Sequence, residues 1–150
     1  MHTKLQALLV SCLAGLAGAC ALPQPGGAVE QEAPAGGVPQ GTEVLSNAGR
    51  YRVRYLPVPD PIPSGELFSM LVWVFDAESG AELSEPELVV DAGMPHHQHG
   101  MNIQPVLSKM VEGPMLVDGL LFHMPGAWTV TFDIERDGVT ERAQVVLDVD

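Results

Sequence analysis

The sequence predicts an all-β domain, an immunoglobulin-like antiparallel β-sandwich of about seven strands over residues 43–150. Three observations carry that expectation. From Glu43 onward, short apolar runs alternate with turn residues, the spacing of antiparallel β-structure. Helix signals are nearly absent. Both cysteines, Cys12 and Cys20, lie in the opening stretch, so no disulfide staples the body and the fold must stand on packing. With 150 residues and 46% hydrophobic side chains, the chain can bury one core but not two large ones.

The elements follow in order. Arg50 to Leu56 alternates charged and apolar residues, which puts Tyr51, Val53 and Tyr55 on one face of a half-buried strand, ended by the prolines at 57, 59, 61 and 63. Leu67 to Phe75 is a second strand, closed by Asp76-Ala77-Glu78-Ser79-Gly80. A third begins at Glu87–Val90 and runs toward Met94. Met115–Phe122 and Trp128–Ile134 come next, separated by Met124-Pro125-Gly126. Asp137-Gly138 then joins Trp128–Arg136 to Val139–Val149, the dipeptide that a type I′ hairpin prefers because both central residues need positive φ. Trp73 and Trp128 are expected to fill the space between two sheets.

Ahead of this domain, Met1 to Lys4 carries one positive charge and Leu5 to Ala19 is apolar or small, ending in Ala17-Gly18-Ala19. That is a secretory signal layout, so residues 1–19 are read as a signal peptide. Leu16-Ala17-Gly18-Ala19-Cys20 resembles a bacterial lipobox, whose cysteine becomes the lipidated first residue of the mature chain. The match departs from the usual pattern in having Ala17 where leucine is common, with Leu16 one step further out. The alternative is ordinary cleavage after the small triplet. Residues 20–42, CALPQPGGAVEQEAPAGGVPQGT, are rich in proline and glycine and free of Lys and Arg, and read as a flexible, disordered linker. A coil of that length spans roughly 25 Å, enough to hold a domain just off a bilayer.

Charge removes one class of partner. The formal net charge is -12, so a phosphate backbone is repelled and nucleic acid is excluded. An acidic surface gives no grip on anionic lipid either, and membrane attachment must come from the apolar leader or the lipid on Cys20. No HExxH, phosphate-cradling glycine loop or dinucleotide fingerprint is present, and the serines do not sit in a nucleophile elbow. Asp133 to Gly138 begins like a calcium loop, but its twelfth position is Gln144 and its flanks alternate as strands. The expectation is a protein that is not an enzyme.

Chemistry concentrates in Met94-Pro95-His96-His97-Gln98-His99-Gly100-Met101-Asn102, and again in Phe122-His123-Met124-Pro125-Gly126. Imidazole suits Cu(II), Zn(II) and Ni(II), while a thioether is useful chiefly to Cu(I), so a mixed His/Met cluster favours a copper ion. In an extended segment residues two apart point the same way, which lets His97, His99 and Met101 converge while His96 faces elsewhere. His123, at the end of another strand, closes the site. Asp91 or another carboxylate is a candidate to orient one imidazole. The competing reading makes the loop structural, with Met94 and Met101 in the core and the histidines bonded to backbone groups.

MPHHQHGMN followed by GLLFHMPGAW resembles the YtkA-like domain family, small exported β-sandwich proteins with MPxHxHGM and a later MPGxW. The likeness covers roughly residues 48 to 149. Met94, Pro95, His97, His99, Gly100 and Met101 match the first motif; His123, Met124, Pro125, Gly126 and Trp128 map to the second. A tyrosine that often precedes the second motif is replaced here by Met115 or a neighbour. The resemblance implies a β-sandwich and a link with copper handling or cytochrome oxidase assembly. The expectation is therefore a lipid-anchored protein of the bacterial cell envelope, on its periplasmic face, that binds copper through His97, His99, Met101 and His123. Its partners would be the membrane, through the anchor, and an envelope protein. The alternative is a metal-free interaction module with a structural His/Met loop.

Overall fold

The computed structural model describes residues 40–111 and 113–150; the segment read as a signal peptide, Cys20, and residues 20–39 of the stretch read as a linker lie outside the described residues. The fold is all-β, with two antiparallel sheets packed face to face as a sandwich. Sheet A has five strands in the order β1-β2-β3-β7-β6, where β1 is Thr42–Leu45, β2 Tyr51–Val58, β3 Leu67–Asp76, β6 Val106–Lys109 and β7 Met115–Leu121. Sheet B has four in the order β5-β4-β8-β9, where β4 is Glu87–Met94, β5 His99–Gly100, β8 Gly126–Arg136 and β9 Val139–Val149. A 3-10 turn over Pro95–His97 separates β4 from β5.

Each strand buries the face its alternation dictates. Tyr51, Val53 and Tyr55 of β2 meet Phe68, Met70, Val72 and Val74 of β3 on the inner face of sheet A, opposite Val90, Ala92, Trp128, Val130, Phe132 and Ile134 of sheet B. Asp137 and Gly138 have φ of 54° and 75°, the pair of positive values a type I′ turn requires, and the β8–β9 ladder runs unbroken from Gly126↔Val149 to Arg136↔Val139.

The structure departs from the sequence reading at three places. Nine strands form among the described residues rather than about seven, because β1, β5 and β6 are two to four residues long and carry no readable period. Pro57 lies inside β2, opposite Met70. Beyond Tyr55, β1 no longer covers that edge, so the missing N–H breaks no ladder on that side. Trp73 does not fill the space between the sheets. Val72 and Val74 occupy the inner face, so parity turns Trp73 outward, where it is nevertheless 4% exposed and outside the core cluster. Its neighbours on that face in β2 and β3 include Arg52, Arg54 and Phe75, with both guanidiniums over the Phe75 ring at 5.5 and 5.0 Å.

One irregularity positions the functional end. Between Phe68↔Leu120 and Ser69↔Asp118, β7 holds one extra residue, Gly119, at φ +84°. The bulge switches the parity of β7. Val117 is buried before it, and Leu120 and Phe122 are buried after it. Phe122 therefore turns into the core, and His123 leaves the strand on the exposed rim.

Candidate metal centre

The two His/Met stretches meet at one end of the sandwich, and three imidazoles come together there. Met94 ends β4, and Pro95 opens the 3-10 turn with its fixed φ. Gln98 closes the turn in the left-handed region at φ 55°, its N–H donating to the carbonyl of Pro95 at 3.3 Å. The chain then doubles back, so that His99 pairs with Met94 and Gly100 with Gly93. His97 and His99 are brought near each other by this reversal, not by the i, i+2 alternation of an extended segment. Their ring centroids lie 5.8 Å apart. His123 arrives from the opposite sheet, 5.1 Å from His99.

Those separations have chemical meaning. An N–metal bond of about 2.0–2.1 Å puts two imidazole centroids roughly 5 to 6.5 Å apart on a shared ion, from tetrahedral to linear angles. Both measured spacings fall in that interval. His99 is the common neighbour, and its Nε2 is buried with no hydrogen-bond partner. Buried polar nitrogens are nearly always paired, so the unpartnered Nε2, on the ring that neighbours both other imidazoles, is a nitrogen free to take a ligand. His97 and His123 are exposed and His99 half-buried, so the cluster opens to solvent on one side.

The floor of the site is aromatic. Trp128 is fully buried and stacked on Phe122 at 4.6 Å and 5°, with Phe68 edge-on to Phe122 at 4.9 Å. The indole Nε1–H donates to the carbonyl of Met124 at 3.0 Å, which ties the β7–β8 crossover to β8. His123 and His99 stand edge-to-face to Trp128, at 5.2 and 6.3 Å. Gly126, at φ +122°, makes room for the core: a Cβ there would lie 2.9 Å from Cε of Met94.

Met101 is half-buried against the core cluster, and its N–H donates to the carbonyl of Ala92 at 3.0 Å. His96 is exposed and takes no part in the ring cluster. Asp91 does not orient an imidazole; its carboxylate accepts from the N–H of Ala92 at 2.8 Å. Among the described residues, no group of three or more His, Cys, Asp or Glu side chains stands ready as a metal site. The imidazoles form a chain centred on His99, without a carboxylate. Met94 and Trp128 line the site although ligand chemistry alone pointed past both. The signal that could have found them is their place in the two short motifs. No family model, curated protein or solved structure matches the chain, so the YtkA-like resemblance rests on the motif residues alone.

Proposed function

We propose that this is a lipid-anchored protein of the bacterial cell envelope that binds copper at His97, His99 and His123, with Met101 beside them. The observation that carries the reading is the buried, unpartnered Nε2 of His99, on a ring whose centroid lies 5.8 and 5.1 Å from those of His97 and His123. Ligand type supports copper over other divalent ions, since the surrounding thioethers favour its reduced form. Attachment through Cys20 places such a domain on the periplasmic face of a membrane, where an exposed imidazole rim is open to an envelope partner.

The test is a titration of the intact protein with copper against a competing chelator. Stoichiometric uptake that disappears in His97→Ala/His99→Ala supports the proposal; uptake no greater than that of a scrambled-loop control overturns it. One fact favours the metal-free alternative, an envelope interaction module: no three-residue His/Cys/Asp/Glu group is assembled among the described residues. That alternative requires the second outcome. Mass spectrometry of membrane-extracted protein tests the anchor, with an acylated Cys20 expected and an unmodified N-terminus fatal to that part.

A further inference from the structure

We propose that the site selects copper in its monovalent state, and that the thioether of Met94, with Met101 beside it, makes that selection; the inference rests on the copper reading above. The register puts both sulfur-bearing side chains around His99. Met94 pairs with His99 across β4 and β5, and the N–H of Met101 bonds Ala92, the next inward residue of β4. Cross-strand partners share a face of the sheet, and directly opposed Cβ atoms lie about 4.5–5.5 Å apart. Ala92 and Met94 are buried, so that shared face is the inner one. Thr129 pairs with Gly93, which brings Trp128 level with Met94 on the other side. Met94 thus sits on the strand between those that carry the unpartnered imidazole and the indole, on the same inner face, with its methyl group seated over Gly126.

A thioether beside imidazoles favours the lower valence of copper. Zn(II) in structural sites takes four ligands, and Cu(II) prefers a tetragonal set of nitrogen and oxygen. Neither set is assembled among the described residues. The nearest carboxylate of β4, Asp91, points to the opposite face of its strand and is engaged by the N–H of Ala92. The stacked Phe122 and Trp128 close the inner side against water. Two or three imidazoles and a thioether remain, a low-coordinate nitrogen and sulfur environment that soft Cu(I) accepts.

The experiment loads the intact protein anaerobically with Cu(I), and separately with Cu(II) and Zn(II), each against a chelator of known strength. Met94→Leu and Met101→Leu keep the side-chain volume and remove the sulfur. Cu(I) is expected to bind tightest, with Met94→Leu weakening it by about tenfold or more, the lower end of what even outer-shell losses cost a metal site. Zn(II) and Cu(II) affinities should not move. X-ray absorption of the Cu(I) form should contain a sulfur shell. A nitrogen-only shell, or Cu(II) or Zn(II) held as tightly as Cu(I), overturns the inference and leaves the copper reading standing. Failure to hold any of the three ions removes both. Should Met94→Leu not fold, the absorption spectrum of the unaltered protein decides.

Discussion

His99 separates a structural histidine from a ligand by its energetics. A ring that supported the loop through hydrogen bonds would cost stability when removed, whereas an orphaned Nε2 already carries a desolvation penalty of about 1–3 kcal/mol. His99→Ala is therefore expected to leave metal-free unfolding within about 1 kcal/mol of the original while abolishing copper uptake. A fall in Tm equivalent to a broken hydrogen bond would assign the ring to the loop. At the far end of the molecule, Asp76 accepts the backbone N–H and the hydroxyl of Ser79, both at 2.8 Å, and these bonds hold its carboxyl below the usual range. Its contribution is full above the ordinary carboxylate pKa and is lost as pH falls through the lowered folded value. Asp76→Asn should flatten that step in a plot of Tm against pH. At this scale the sequence was informative about which residue types gather: the histidines of both motifs do come together. It was silent about Asp91, whose direction depends on which face of β4 it occupies.

Strands and turns were legible wherever the pattern was long enough to average out accidents. β8 and β9, joined by Asp137-Gly138, were read to the residue at the turn and within two residues at the ends. The bulge at Gly119 was not, because a single glycine inside an apolar run does not announce that parity will switch. That switch decides which of Phe122 and His123 is buried. Gly119→Ala has open space around its new Cβ but must hold φ +84°, so it is expected to cost about 1–2 kcal/mol of backbone strain. Chemical denaturation would measure it. A second joint closes the sandwich near β1: the Ser46 hydroxyl donates to Oε2 of the buried Glu141 at 2.7 Å and accepts the N–H of Tyr51 at 3.0 Å. Ser46→Ala leaves two buried groups without that partner, and a loss of about 1–3 kcal/mol is expected in the same assay. The extended reading of residues 97 to 101 failed for a related reason. Pro95 and the left-handed Gln98 fold the segment back on itself, a tertiary choice with no counterpart in the local alternation.

Across the whole molecule the two ends differ in kind. The imidazoles and the Pro95 and Pro125 turns occupy one end. The other holds a groove of about 880 Å³, lined by Asp76, Glu82, Glu85, Glu87, Glu135 and Asp137 with Arg136 among them. The sandwich architecture was predictable from composition and spacing, since about seven short alternating runs without helices or disulfides fit two packed sheets better than a closed barrel. The meeting of His99 with His123 was expected from ligand chemistry and the paired motifs, not from any local pattern, because it depends on which strands lie at the edge and how the sheets cross. An ion held by both would join the two sheets at that end. Copper at a hundred times its Kd should stabilise the native protein by about 2.7 kcal/mol, seen as a higher Tm that is lost in His97→Ala/His99→Ala.

The assembly of the centre from opposite sheets also orders events in time. His99 and His123 become neighbours only when β4–β5 and the β7–β8 crossover have both docked, so the unfolded chain presents scattered single imidazoles and no chelate. On the envelope and copper reading proposed above, the polypeptide would cross the membrane empty and be loaded only as a finished object, by whatever meets it outside.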